Sequence, residues 1–409
     1  MVLMKFLSAI SVEKLFGLLF LFFLPTQLGT YFFMSFSYIN GVRVDYLAPA
    51  LFTTDLIFLA LLVVFWRHLR AYIRTHQQQT WVFFIVIVIS ISYTAHPFWA
   101  LYSVLKLMQI LCLYVIFSSI HLSTRSILTT FVLSAALQLF LTLVQFAQKG
   151  SLQGIFYYLG ERYMTLSTPG IAKASFFGEE ILRPYGTFSH PNSLGGFFLL
   201  LYSYVMLVPS KSILKPTLLG LCAMLILISF SKLAIFTFVI INIGYFIYHY
   251  SKKCTLCTIA RFTLLLIVAA IFLHTHSDPL SLEKRISLFT QGIVIFKENP
   301  LLGTGFGHHL YAQGQFPSTY SYFFLQPVHN IFVLFVMQAG IIISGVVLFF
   351  GWKHLRKNAS HIRKFGGYML CVILLTGAGD HYWLTLQQNM LLLGTLWGLM
   401  IGQKSSSQQ

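Results

Sequence analysis

Charge is scarce in this chain. Only 9% of its 409 residues are Asp, Glu, Lys or Arg, against about 25% in a soluble globular domain. With 57% hydrophobic residues, there are too few charges to cover a water-facing surface, which excludes a soluble enzyme. Acidic residues are scarcer still: 10 stand against 27 Lys and Arg, for a formal net charge of +17. In a soluble protein that excess would point to nucleic acid. Here no hydrophilic segment interleaves basic residues with base-stacking aromatics, so nucleic acid is excluded as a partner. Cysteine is also sparse, at Cys112, Cys222, Cys254, Cys257 and Cys371. Cys254 and Cys257 have a CxxC spacing open to a metal or redox pair, but they read as scattered cysteines on a loop and helix ends. The first apolar run has no small-residue cleavage site after it and reads as a retained anchor. No internal repeat is found, and the only low-complexity stretch is the Ser/Gln tail at 405–409.

What the chain has in quantity is long apolar runs. A bilayer core takes about 20 apolar residues of helix to cross. Runs of that kind fall at roughly 15–36, 48–66, 80–95, 98–120, 126–147, 193–209, 213–230, 233–250, 261–276, 329–351, 365–379 and 383–402. The expected fold is thus an all-α integral membrane protein of about 12 transmembrane helices, a single polytopic domain over 1–409. With the N-terminus inside, 17 basic residues fall in inner segments and nine in outer ones. Seven of those nine lie in the two longest loops, where the positive-inside rule has least force. Both termini are then cytoplasmic, and the long segments 148–192 and 277–328 face outward. Segments of that length are commonly functional, and their aromatic runs, such as Phe156-Tyr157-Tyr158 and Tyr320 to Phe324, suit packing at the interface.

These outer segments gather one kind of polar group. Arg183 opens the run RPYGTFSHPN, Glu283-Lys284-Arg285 opens an expected amphipathic helix, and His329-Asn330 begins the tenth span. Ser231-Lys232 and Asp380-His381 occupy tight outer turns. Each has a bland reading: an arginine near a membrane surface snorkels to headgroups, and a histidine at a helix end caps it. Gly303, Gly305 and Gly307 resemble a phosphate loop, but no strand precedes them and no Walker lysine follows. The histidines show no close carboxylate or cysteine partner in sequence, so no metal site is expected. Taken together, Arg183, Lys232 and Arg285 are cations at the outer ends of apolar helices, costly there unless an anion meets them. A diphosphate headgroup is such an anion. His329 is placed to take a proton from a hydroxyl near neutral pH. Chemistry on a phosphate-linked lipid follows.

The stretches RPYGTFSHPNSLGGFF (183–198), RISLFTQGIVIFKENPLLGTGFG (285–307) and VHNIFVLFVMQAGIIISG (328–345) resemble motifs of the O-antigen ligase and polymerase superfamily. The resemblance covers roughly 180–345; the N-terminal half fits only in hydropathy. It implies a GT-C-type glycosyltransferase that moves a glycan from an undecaprenyl-diphosphate carrier to an acceptor hydroxyl, a glycan or a lipid-linked acceptor, on the outer side of the cytoplasmic membrane. Neither a nucleotide sugar nor a metal or other cofactor is implied. By resemblance His329 is the base, and Arg183 and Arg285 hold the diphosphate. Many relatives carry Ser-Arg where this chain has Ser231-Lys232, and lysine lacks the bidentate fork. Relatives often have Asn where His190 stands, so His190 is given no catalytic role. Asn192 is expected to cap a helix or make a polar contact, with Asn330, Asp380 and His381 as supporting residues.

Ligase and polymerase share this chemistry and differ in acceptor; the sequence does not separate them. The alternative from another class is a secondary transporter or flippase. It calls for ionisable groups within spans and matching broken helices in two repeats. Lys106 and Asp55 lie within or near spans, but no repeat is found, and the polar groups gather at outer helix ends.

Overall fold

The computed structural model describes residues 11–176, 178–249, 259–260, 262–263, 266–270, 275–276, 280–317, 324–358 and 366–406. The Cys254–Cys257 pair, part of the expected ninth span, residues 320–323 of the aromatic run and the last residues of the Ser/Gln tail lie outside them. The described chain is mostly helical, as its apolar periodicity requires. In order it runs α1 (Val12–Phe23), α2 (Thr53–Val64), α3 (Trp66–Thr75), α4 (Gln77–Ser92), α5 (Pro97–Ser119) and α6 (Thr124–Gln148). After the first long loop come α7 (Pro191–Leu207), α8 (Leu214–Ile228) and α9 (Lys232–His249). Then follow α10 (Leu280–Glu298), α11 (His309–Gln313), α12 (Ile331–Lys357), α13 (Gly367–Gly377), α14 (Tyr382–Thr385) and α15 (Gln387–Ser406). Helix starts carry recognisable signals. Ser123 accepts from the Ser126 N–H at 3.1 Å ahead of α6, and prolines open α5 and α7, where a missing N–H costs nothing.

Among the described residues α5, α6 and α12 are long and apolar enough to cross a bilayer, and α2 with α3 makes a pair bent by 71°. Shorter apolar helices (α4, α7, α8, α9 and α13) follow most of the remaining expected spans. The central packing is α15 against α5. A Cβ placed on Gly394 or Gly398 would lie 2.2 or 2.6 Å from the carbonyls of Ile110 and Tyr114, so this small-residue stripe sets how closely the two helices meet. Phe20, Phe117, Phe131, Phe197 and Phe198 fill the adjoining core.

Two expectations are revised. The run read as a span over 15–36 is helical only to Phe23, ahead of Pro25. Residues beyond it form a cap of antiparallel pairs, β1 (Gly29–Tyr31) with β4 (Ala50–Phe52) and β2 (Tyr38–Ile39) with β3 (Val42–Arg43). The run Tyr31-Phe32-Phe33-Met34 is apolar in letter but exposed. The first long loop also contains a hairpin, β5 (Lys173–Phe176) with β6 (Glu179–Leu182), and β5 pairs in turn with β7 (Thr275–His276).

The glycine-rich stretch after α10 has a structural role. α12 is broken at Gly340, whose φ of 66° and ψ of 178° are not helical. In an intact helix the N–H groups of residues 341 and 342 would bond the carbonyls of 337 and 338. Here the loop is inserted between them: Thr304 and Gly305 donate to the Met337 and Gln338 carbonyls at 2.9 and 3.0 Å. Ile341 and Ile342 donate to the carbonyls of Pro300 and Leu301 at 2.8 and 3.2 Å. A Cβ on Gly303 would lie 2.5 Å from the Gln338 carbonyl, and one on Gly340 2.3 Å from that of Leu301. These glycines permit backbone to meet backbone, which is why the stretch looks like a phosphate loop without being preceded by a strand.

Candidate functional site

The cap over residues 24–52, the first long loop, the segments 306–309 and 326–329 and the turn before α14 meet at one end of the bundle. They line a cavity of about 730 Å³. His329, Asp380 and His381 line it, and they belong to a polar pole assembled from four distant parts of the chain, of which Arg183, Asn192 and Arg285 stand behind the cavity wall. Arg183 leaves strand β6 with its N–H on the Ala172 carbonyl at 3.1 Å. Its side chain crosses to the turn after α8, where Nε and Nη2 donate to the Ser229 carbonyl at 3.2 and 3.1 Å. Nη2 also donates to Asn192 Oδ1 at 2.6 Å. Asn192 passes the connection on: its Nδ2 donates to Asp380 Oδ2 at 2.8 Å. Asp380 Oδ1 accepts the His381 backbone N–H at 2.8 Å. Arg285 reaches the same carboxylate from α10, with Nη2 4.0 Å from Oδ2 and Nη1 donating to the Gly379 carbonyl at 2.9 Å. His329 stands edge-on to His381, ring centroids 4.8 Å apart.

Local electrostatics give these groups different charges. Burial pushes the His329 imidazole below its ordinary value, an effect that Asp380 opposes and Arg285 reinforces, so the ring is neutral near pH 7. Burial acts against ionisation of Asp380 as well, but His381, His329 and Arg285 outweigh it and hold the carboxyl well below the usual carboxylate range. Burial lowers Arg183 to about 10, which still leaves it protonated. His381 is pushed down to about 3 by burial and by His329, against the pull of Asp380. The pole thus holds two guanidinium groups, one carboxylate and neutral imidazoles.

Six of the eight residues singled out in sequence converge here: Arg183, Asn192, Arg285, His329, Asp380 and His381. Asn330 is a capping residue. Its Oδ1 accepts from the Phe332 and Val333 N–H groups at 3.0 and 3.1 Å, and its Nδ2 ties α12 to the Ala378 carbonyl at 3.0 Å. Lys232 opens α9 three residues past the Ser229 carbonyl; no hydrogen bond or ion pair to the cluster is found for it among the described residues. The cap of α7 is His190, whose Nδ1 accepts from the Asn192 N–H at 3.1 Å, which frees Asn192 for its bridging contact. Arg183 is also more engaged than a free phosphate clamp would be, since Nε and Nη2 both hold protein atoms.

The absence of a carboxylate near the histidines, expected from sequence, does not hold. His329, Asp380 and His381 each offer a ligand atom within 4.8 Å of the others, a spacing open to a divalent cation. Both Asp380 oxygens already accept hydrogen bonds, however, and Arg285 faces one of them, so the cluster is better matched to moving protons than to holding a second cation.

Residues the sequence reading did not pick out complete the pole. Tyr46 stands edge-on to His381 at 5.8 Å, and Thr385 Oγ1 lies 2.6 Å from His381 Nδ1. No sequence signal marks either. Deeper in the cavity Lys106 Nζ lies 2.8 Å from both Asp55 oxygens and 2.6 Å from Gln387 Oε1. Lys106 and Asp55 were legible as ionisable groups in apolar surroundings; their pairing was not.

The fold and site are those of a multi-helix membrane protein with a cluster of guanidinium, carboxylate and imidazole groups at one end of the bundle. Residues 217–350 match the family described as O-Antigen ligase, which supports the superfamily resemblance seen in the motifs. Lys232, Arg285, His329 and Asn330 fall inside the matched segment; Arg183, Asn192, Asp380 and His381 fall outside it. No curated protein matches the chain.

Proposed function

We propose that this chain transfers a glycan from an undecaprenyl-diphosphate carrier to an acceptor hydroxyl at the outer face of the cytoplasmic membrane, as an O-antigen ligase or polymerase. In this reading the protein is of GT-C type with about twelve spans, and both termini are cytoplasmic. The observation that carries it is the closeness of a neutral, half-buried His329 to an ionised Asp380 beside Arg285 and Arg183. His329 accepts the acceptor O–H proton as the oxygen bonds to the anomeric carbon. The bond from that carbon to the diphosphate oxygen breaks, and its electron pair leaves on the lipid diphosphate. Arg285, which is partly exposed and only loosely engaged with Asp380, stabilises that charge. Arg183 acts chiefly by holding Asn192, and through it Asp380, while keeping positive potential at the pole. Asp380 stabilises the imidazolium formed on His329. Lys232, at the start of α9, adds positive charge near the Ser229 turn. No step calls on a metal or a cofactor.

The test uses purified protein in nanodiscs with an undecaprenyl-diphosphate-linked oligosaccharide and acceptors, following release of undecaprenyl diphosphate. His329→Ala is expected to fold, to bind the donor, and to lose about a thousandfold in turnover, the range of a lost general base. Turnover unchanged in that variant would remove the proposed base. Movement of the lipid across the bilayer without release would favour a transporter.

A further inference from the structure

The cavity extends well beyond the charged pole, and its far arm has a different chemistry. The cap and the loop around residues 153–163 supply most of it, facing α5. Eleven buried side-chain polar atoms have no hydrogen-bond partner among the described residues, and seven belong to residues lining this one cavity. They are Gln27 Oε1, Gln109 Oε1, Gln153 Nε2, Ser189 Oγ, both ring nitrogens of His309 and Nδ1 of His329. Buried polar atoms of a folded protein are rarely left unpaired, because each one costs the free energy of its lost water. Their concentration here points to a ligand that completes them.

His309 is the clearest case. It is 6% exposed, and the adjacent Gln338 is directed to other partners. Gln338 gives its oxygen to the Gly307 N–H at 2.7 Å and its nitrogen to the Leu334 carbonyl at 3.2 Å. The unpaired atoms are amide, hydroxyl and imidazole groups, all neutral and including both donors and acceptors. Between them stand aromatic faces: Tyr102 stacks on Trp99 at 5.2 Å, and Tyr31 and Tyr46 line the same space. Of the arm's cations, Arg43 pairs with Asp45 at 3.1 Å and Lys106 with Asp55 at 2.8 Å, while the exposed Arg162 has no ion pair among the described residues. A phosphate would find one uncommitted cation there, Arg162, against several neutral partners. A sugar would find apolar faces for its C–H surfaces and neutral partners for its hydroxyls.

We propose that this arm is a saccharide subsite, in which an uncharged, hydroxyl-bearing sugar lies against the aromatic faces and completes Gln27, Gln153 and His309, continuous with the reaction centre at His329. The proposal rests on the glycan-transfer reading above. The sugar can come from the donor or from the acceptor, and the test separates them.

The test compares three probes in nanodiscs: the lipid-linked oligosaccharide extracted from the cells that make this protein, bare undecaprenyl diphosphate, and the bare lipid with the released oligosaccharide. Wild type is compared with a Gln27→Leu, Gln153→Leu, His309→Phe variant. Wild type is expected to bind the glycosylated lipid at least about tenfold tighter than the bare one, and the variant to lose that margin. The variant's Tm without ligand is expected to hold or rise, because unpaired polar atoms have been removed. A margin with the glycosylated lipid assigns the arm to the donor sugar. A margin appearing only when released oligosaccharide is added assigns it to the acceptor. Equal binding of all three probes, or a margin that survives in a folded variant, overturns the subsite while leaving the parent reading intact. Failure of wild type to bind either lipid overturns both.

Discussion

Asp380 touches neither lipid nor acceptor in the proposed reaction, so its role must be read through His329. In Asp380→Asn the shape is kept, and Oδ1 can still accept the His381 N–H, but the negative charge is gone. The ligand atoms of His329 and Asp380 lie within 4.8 Å. At an effective dielectric of about 20, unit charges at that separation attract by about 3.5 kcal/mol. That attraction is absent while His329 is neutral and present once it has taken the acceptor's proton, so its loss falls on the transition state. A fall of roughly 300-fold in kcat/KM is expected. Two further readouts separate this from general damage. Asp380 raises the His329 pKa, so the acid limb of the pH profile, already below 6.5, moves to lower pH as the plateau falls. Arg285 loses its internal partner, so the KM for donor lipid does not rise. The assay is release of undecaprenyl diphosphate across pH 4.5–8, with Tm checked in parallel. A folded variant within threefold of wild type, or one whose acid limb moves upward, would refute the coupling.

Other expectations follow from the same geometry. Arg285→Ala should lower turnover by about a hundredfold, as for loss of one preorganised charge-stabilising group, and Arg285→Lys should recover only part, because lysine lacks the fork; steady-state kinetics on the donor lipid decide. Gly340→Ala should destabilise by about 3 kcal/mol or more, since its backbone lies in a region open essentially only to glycine and the new Cβ would meet the Leu301 carbonyl at 2.3 Å; a Tm equal to wild type in detergent would contradict this. Burial, the leading cause for each, depresses His190 and His381 to about 3 and His309 to about 4, from 6.5. Because the folded values lie below the unfolded one, the unfolded chain binds protons first. The stability they contribute is present above pH 6.5 and declines as pH falls toward 3, measurable as a steady loss of Tm between pH 7 and pH 4.

The bundle was legible because its signal is additive: every residue of a lipid-facing run contributes to hydropathy, so α5, α6 and α12 stand out whatever they pack against. The end of the first run was not. Tyr31 through Met34 are apolar by type, yet they follow Pro25 into a cap paired through β1 and β4, and hydropathy does not distinguish an exposed aromatic from a lipid-facing one. At the site the residue types were legible and their connections were not. Asn192 looked like a cap because it sits beside Pro191 in a helix start; only the structure brings it to Asp380, 188 positions away. His190 takes the cap instead. The carboxylate partner of His329 was missed for the same reason: Asp380 is remote in the chain and adjacent in space. The glycines at 303–307 show the converse, a local pattern with a strong chemical association whose requirement here is steric.

The four hydrogen bonds that bridge the break at Gly340 all run between main-chain atoms. Exchanging any one residue along this joint for another that keeps its N–H, other than at Gly303, Gly305 and Gly340, leaves those four hydrogen bonds available. Two chains could therefore share the joint, and with it the seating of the histidine eleven residues ahead of the break, while agreeing in almost no letters apart from those three glycines. Insertions are another matter. One added residue on either side shifts every donor past its acceptor, so the spacing between the loop and the break is far more constrained than the composition of either.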